Sequence, residues 1–328
     1  MAAGIRFSDR VLTVSPSYAR QIESTCDGLE HLLHNVIGIS NAIDEDFYSK
    51  VKQRVKESKF LQNNLPDLKQ AVEDDTELLR KLESRFPAIL ADLRGEAPLS
   101  GVKPAWKRES LTRLRNKLLL QVTYGLRVDP DKILFAMIHR ITDQKGFQLL
   151  LDASRGIFSA LNFQGIIGGQ VAAGDTRGEE LATGLYNLAS FYRDSVSVTT
   201  GFIDVRIPLY AADIFLMPSL NEPGGISQLE ALSTGCLVVA RATGGLRDTV
   251  HPISEKEERP KGNGFLFSDY TPAAFYDAMS RCGRFFVESS ERRIYDARES
   301  AKKSVFTWDK PAAQYIDRLY EMKEIIRG

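Results

Sequence analysis

Cysteine is scarce in this chain: Cys26, Cys236 and Cys282 are its only three in 328 residues. An odd, widely spaced set builds no disulfide framework and fits a reducing compartment. Net charge is missing as well, since 43 Lys and Arg stand against 43 Asp and Glu. Without a global field the chain does not gather nucleic acid or an anionic membrane surface, so any anion it binds must be held by a local site. Long apolar runs are also lacking. None approaches the roughly 18 residues that a membrane helix needs, and Met1 to Arg10 has no apolar core of signal-peptide length. The expectation is a cytoplasmic protein with no nucleic-acid partner and no membrane span.

What is present is the make-up of a folded chain, 43% hydrophobic and 26% charged, long enough for roughly two domains. Three regions differ in pattern. In residues 1–48, Val11 to Val14 and Val36 to Ile39 read as short buried strands, with a helix from Ser17 to Ile22 and a loop at Asn41 to Asp44. In residues 49–105, Leu61, Leu65, Leu68 and Val72, then Leu79, Leu82, Phe86, Leu90 and Leu93, recur at helical spacing. Pro66 is tolerated only near a helix start, so a break is expected just before it. An inserted helical hairpin packed on the body is predicted, the other reading being a face at residues 50–95 offered to a partner. Glu96 to Pro104 is expected to be a linker.

From Lys132 onward short apolar segments alternate with helical ones. Strands are predicted at Ile133 to Ile138, Gly165 to Ile167, Val196 to Thr199, Ile214 to Met217, Leu237 to Ala240 and Gly264 to Phe267, with consecutive helices from Thr271 to Gly328. Alternation of this kind predicts an α/β fold with a doubly wound parallel sheet, Rossmann-like, whose ligand crevice lies at the strand C-terminal ends.

Three strand-end loops concentrate the chemistry. The first, Pro218-Ser219-Leu220-Asn221-Glu222-Pro223-Gly224-Gly225-Ile226, runs into a helix carrying Glu230. Glycines admit a ligand close to the backbone, and a helix N-terminus offers free N–H groups to a phosphate. Its carboxylates suit sugar hydroxyls; the plainer reading is a strand-to-helix turn with two solvated glutamates. The second loop, His139 to Gly146, places Arg140 and Lys145 at another crossing, where two cations can neutralise a pyrophosphate. The third, Thr243-Gly244-Gly245-Leu246-Arg247-Asp248, is a further glycine turn at a helix start. Any one of them is ordinary, but together they argue for a diphosphate site. Asp44-Glu45-Asp46 and Asp129-Pro130-Asp131 are read as solvated turns, not metal ligands, and no cofactor or metal is expected.

These residues also carry a resemblance. Asp213 to Ser219 with the Glu222-Pro223-Gly224-Gly225 loop and Thr243 to Val250 is similar to the C-terminal domain of glycogen and starch synthases, retaining glycosyltransferases of GT-B fold. Ile141-Thr142-Asp143-Gln144-Lys145-Gly146 resembles their phosphate loop, Phe7 to Ile22 the end of their first domain, Asn41 to Asp44 their interdomain motif, and Thr307-Trp308 through Tyr320 their closing helix. The resemblance implies a first-domain remnant at 1–48, a helical insertion and linker at 49–105, a donor-binding domain at 106–305 and a closing helix at 306–328. It implies catalytic roles for Arg140 and Lys145 at the donor diphosphate and for Glu222 at the transferred sugar. Gly224, Gly225, Ile226, Thr243 and Gly244 would line the donor, and Glu230 would hold its ribose. The expected donor is ADP-glucose, and the expected acceptor an α-1,4-glucan, with most of the acceptor-side domain absent.

Gly224 and Glu230 depart from the bacterial glycogen synthase pattern. Glu222 and Glu230 together make a Glu-x7-Glu spacing common among other GT-B transferases. A different nucleotide sugar, or a non-catalytic nucleotide-sugar or partner-binding module, therefore remains an alternative.

Overall fold

The computed structural model describes residues 10–25, 30–254 and 256–327 together with Ile5 and Ser8. Phe7 and Cys26, named above, lie outside them. Six strands form one parallel sheet: β3 (Ile133–Ile138), β4 (Phe163–Gly169), β5 (Val196–Thr200), β6 (Ile214–Met217), β7 (Leu237–Arg241) and β8 (Gly264–Phe267). Their order is β5-β4-β3-β6-β7-β8. This is the predicted doubly wound sheet. The winding reverses between β3 and β6, and the loops leaving those two strands flank the switch point, where open α/β sheets take ligands. β4 is longer than expected because its glycines dilute the sequence signal. They have a packing reason: a Cβ on Gly165 would lie 2.5 Å from the Phe135 ring.

Each crossover returns through a helix: α8 (Phe147–Ala160), α9 (Thr176–Phe191), α10 (Arg206–Ala211), α11 (Ser227–Ser233) and α12 (Gly244–Thr249). The tail folds as α13 (Pro272–Glu288), α14 (Glu291–Lys303) and α15 (Asp309–Arg327), as its periodicity predicts. Phe135, Phe147, Phe163, Phe215 and Phe275 are buried and fill the main core.

The expected hairpin is instead a run of five helices: α2 (Phe47–Glu57), α3 (Phe60–Asn63), α4 (Leu65–Asp74), α5 (Thr76–Arg85) and α6 (Pro87–Arg94). The breaks have local causes. Pro66 and Pro87 sit at helix starts, and Asp75 caps α5 by accepting from the backbone of Glu77 and Leu78. The periodic residues Leu68, Val72, Leu82, Leu90 and Leu93 form a second core with α7 (Ala105–Thr123). That core reaches the sheet at Leu134 and Ile166, so the apolar stripe is spent on packing. The expected linker is tied down as well: Leu99 is buried and its N–H donates to Asp92 at 3.0 Å.

Asp129-Pro130-Asp131 is not a solvated turn. Lys81 approaches Asp129 at 3.3 Å and Asp131 at 3.2 Å, and Arg85 holds Asp131 at 2.6 Å. The acidic pair clamps the helical layer to the start of β3. Asp44 and Asp46, by contrast, are exposed and among the described residues pair with Lys50 alone.

At the amino end β1 (Leu12–Thr13) pairs in parallel with β2 (Ile37–Gly38), and α1 (Pro16–Ser24) starts from Ser15, whose hydroxyl accepts from Tyr18. This unit docks on α12, with Ser17 donating to Asp248 from its backbone at 2.8 Å and from its hydroxyl at 2.5 Å.

Beneath the sheet, Asp213 is buried just before β6. It accepts from Lys117 at 3.2 Å, Arg298 at 2.6 Å and the Leu134 N–H at 3.0 Å. Burial pushes its carboxyl up, but these partners outweigh burial and hold it below the usual carboxylate range. Such a depressed group stabilises the fold fully above the ordinary carboxylate pKa near ~4, and loses that contribution as pH falls through its lowered value. Replacing Asp213 by Ala leaves buried Lys117 and half-buried Arg298 without their carboxylate. The expected loss is about 3–5 kcal/mol in urea unfolding at pH 7, shrinking as the pH drops below ~4; an unchanged midpoint contradicts the assignment.

Candidate functional site

The loops after β3, β6 and β7 do not merely neighbour one another. Their backbones touch. Leu220 N–H donates to Gln144 O at 2.8 Å, Gln144 Nε2 to Asn221 O at 2.9 Å, and Gly245 N–H to Glu222 O at 3.0 Å. Two glycines make this approach feasible. Gly146 has φ 81°, and a Cβ there would lie 2.2 Å from Pro218 O. Gly244 has φ 45°, and a Cβ there would lie 2.1 Å from Glu222 O. No L-residue with a side chain fits at either place without displacing the opposing loop.

This packing brings together two of the predicted residues. Lys145 Nζ lies 2.6 Å from Glu222 Oε2, with the two side chains 15% and 9% exposed. Ser219 Oγ donates to the same oxygen at 3.2 Å. A charge-assisted contact this short and sheltered fixes both side chains where a ligand would meet them. Thr243 is buried at the start of α12 and makes no side-chain cap bond, so its hydroxyl is not spent on the helix. Gly224 is covered from the other side by Val14 and Asn41, and Ser15 donates to Pro223 O at 2.6 Å. The amino-terminal unit thus buttresses the glycine loop.

Gly225 has φ 62° and lies against Gln228, whose Nε2 donates to the carbonyls of Gly224 and Gly225. Gln228 Oε1 is buried and finds no hydrogen-bond partner among the described residues. Periodicity gives no notice of this residue, although a polar side chain on the inner face of a short helix is a usable sign. Ile226 is exposed at the start of α11.

The other predicted residues lie elsewhere on the rim. Arg140 is exposed and lines a cavity of about 740 Å³ with Thr142, Gln170, Tyr186, Thr200 and Gly201. That cavity opens at the ends of β3, β4 and β5. Beside it Phe202 is 78% exposed, an aromatic that the sequence patterns do not single out. Glu230 is half-buried at the foot of α11. Burial raises its carboxyl above the ordinary range, opposed by the charge of Arg206. Arg206 pairs with Asp204 at 2.7 Å, and Asp204 also holds Arg54 of α2 at 2.6 Å. Glu230 therefore belongs with the loop after β5, whereas Glu222 belongs with Lys145.

His139 is buried, its Nε2 2.8 Å from Leu216 O. Burial drives its pKa down to about 4, against the Leu216 contact that favours the charged form and with help from the nearby Lys145 charge. The neutral ring donates across β3 and β6.

Residues 125–324 match the family described as glycosyl transferases group 1. The chain belongs to that family. Residues 1–35 match the starch synthase catalytic domain. Glycogen synthase 1 of Synechocystis sp. is 31% identical over 327 residues, covering 96% of this chain and 56% of that protein. The glycogen synthase of Exiguobacterium sibiricum is 32% identical over 325 residues, with 96% and 56% covered. Among solved structures, the catalytic domain of starch synthase IV from Arabidopsis thaliana, bound to ADP and acarbose, aligns with a TM-score of 0.67 at 23% identity, covering 96% of this chain and 56% of that one. Anabaena HepE in complex with UDP aligns at 0.54 and 17% identity, covering 97% and 65%. At such identities these two establish the fold. The kinship with glycogen and starch synthases read from the motifs stands on the sequence matches. The chain spans about 56% of the length of these curated relatives.

His139 gives this site a pH signature. The folded ring binds its proton only near pH 4, whereas an unfolded histidine does so near ~6.5. Its contribution to stability is complete above ~6.5 and declines as pH falls toward about 4. Proton resonances of the His139 ring should stay those of the neutral form down to pH 5, and a midpoint near 6.5 would contradict the buried geometry.

Proposed function

We propose that this chain forms the donor-binding half of a retaining glycosyltransferase of glycogen or starch synthase type. It holds ADP-glucose, and the complete enzyme of which such a half is part transfers glucose to an α-1,4-glucan. The observation that carries the reading is the sheltered Lys145–Glu222 pair, locked among three glycine-packed loops at the switch point of the sheet. Its relatives named glycogen synthases, and a fold neighbour solved with ADP and acarbose, favour the adenine donor and the glucan acceptor.

In this reading Lys145 and the backbone at the start of α12 meet the diphosphate. Glu222 and the Gly224–Gly225 backbone meet the glucosyl hydroxyls. The Arg140 cavity, with Tyr186 and Phe202 at its edge, takes the nucleoside side, where a base can stack on an exposed ring. Transfer is then mainly electrostatic. As the bond from the anomeric carbon to the diphosphate breaks, negative charge grows on the leaving oxygen next to Lys145, with Arg140 contributing from the nucleoside side, and the sugar becomes oxocarbenium-like. The acceptor hydroxyl attacks from the side the diphosphate leaves, giving retention, and its proton passes to the departing phosphate.

Lys145 and Glu222 neutralise each other in the free protein, so substitutions at the two positions should diverge. Lys145→Ala should weaken ADP by about 1–3 kcal/mol in calorimetric titration, the scale of a charge-assisted contact. Glu222→Ala frees Lys145, so ADP binding should hold or strengthen while ADP-glucose weakens. Parallel losses for both ligands in Glu222→Ala would remove its sugar contact, and unchanged affinity in Lys145→Ala would remove the diphosphate site. Titration of the unaltered chain with ADP-glucose, UDP-glucose and GDP-mannose should rank ADP-glucose tightest; a preference for either of the others overturns the adenine donor.

A further inference from the structure

Beneath the opposite ends of the strands, the helical layer, α7 and α14 enclose a second cavity of about 610 Å³. Its position is fixed by Arg113 of α7, which donates to Thr234 O at 2.8 Å and to Ala212 O. Those carbonyls precede β7 and β6, so the cavity lies at the strand N-terminal ends, away from the donor loops. Its charges do not cancel. Among the lining carboxylates Asp92 is taken by Arg115 at 2.9 Å and Glu299 by Lys302 at 2.6 Å, which Glu109 also approaches at 3.7 Å. Arg298 is spent on Asp213. Arg113, Arg108 and Lys52 remain, with no carboxylate of their own within ion-pair distance among the described residues. Arg113 is half-buried, and its Nε, shut off from solvent, has no hydrogen-bond partner among the described residues. Burial pulls its pKa down to about 10.

An uncompensated guanidinium is costly to bury, and its two carbonyl contacts replace only part of its hydration. Arg108, and the exposed Lys52 whose ammonium rests 4.3 Å from the Tyr48 ring centroid, add to the same positive field. Around them stand Tyr48 and Tyr210, whose hydroxyls suit a ring bearing several hydroxyls, and Asn116, whose Oδ1 already accepts from Arg115 at 3.0 Å. We propose that this cavity binds the phosphate monoester of a sugar, the dianion facing Arg108, Arg113 and Lys52 and the sugar ring facing Tyr48, Tyr210 and Asn116. The volume accommodates one such molecule.

Arg113 supports backbone in the fold, so Arg108 is the residue to alter. The Lys145→Ala chain, in which the donor loops are weakened toward phosphates, is titrated with glucose 1-phosphate and compared with Lys145→Ala/Arg108→Ala. Saturable binding is expected in the first and at least about tenfold weaker binding in the second, the effect of one lost charge-assisted contact. No saturable binding in Lys145→Ala overturns the site, and so does equal binding in the double variant. Equal affinity for inorganic phosphate overturns the sugar component. ADP titration of Arg108→Ala alone should match the unaltered chain, which separates failure here from failure of the donor assignment.

Discussion

The site depends on backbone meeting backbone. The loops after β3, β6 and β7 approach until no Cβ fits between them, at Gly146 against Pro218 and at Gly244 against Glu222. Side chains that project from such loops inherit their rigidity, because a main chain bonded to a neighbouring main chain has little freedom left. Lys145 follows directly on that constraint, one residue before Gly146, and Glu222 supplies the carbonyl that Gly244 accommodates. The ion pair is therefore set by the turns and not by the side chains' own attraction, which alone would scarcely repay their desolvation.

The rest of the molecule serves the same contact from outside. Ser15, Val14 and Asn41 lean on the glycine loop, and Ser17 fixes α12 through Asp248. His139 donates to Leu216 and holds the exit of β3 to that of β6. A histidine charged at neutral pH would not tolerate this position, and burial keeps it neutral. The switch point is thus bridged at two levels, within the sheet by His139 and above it by the glycines.

Much of this architecture was legible in the residue order. Ile214 to Met217 and Leu237 to Ala240 are uninterrupted apolar runs, and both are strands that the structure buries completely. The loop motifs were visible because glycine, lysine and glutamate sit at fixed offsets from those runs. What escaped the sequence is long-range. Lys117 and Arg298 find Asp213 across 96 and 85 residues, and no periodic pattern encodes such a pair. The helical layer was recognised as helical but not as five pieces, because leucine spacing survives a tight break capped by Asp75 or started by Pro87. Phe202 and Gln228 were missed for opposite reasons, one exposed in a loop without pattern, the other buried where a polar residue reads as noise.

The two ends of the sheet treat charge differently, and α11 connects them. At its start the glycine loop presents Glu222 matched by Lys145; at its end the Thr234 carbonyl is held by Arg113, a cation without a carboxylate of its own among the described residues. A helix terminus carries partial negative charge at its carbonyl end, so a guanidinium there is favourable even when buried. That interaction explains why Arg113 is tolerated. It does not explain Arg108 and Lys52, which gain nothing from the helix and face the same cavity with no carboxylate at ion-pair distance among the described residues, Lys52 resting on the Tyr48 ring. Their positions raise the potential inside the cavity while the chain as a whole stays neutral. Local excess of this kind in a balanced sequence is what distinguishes a site from a charged surface.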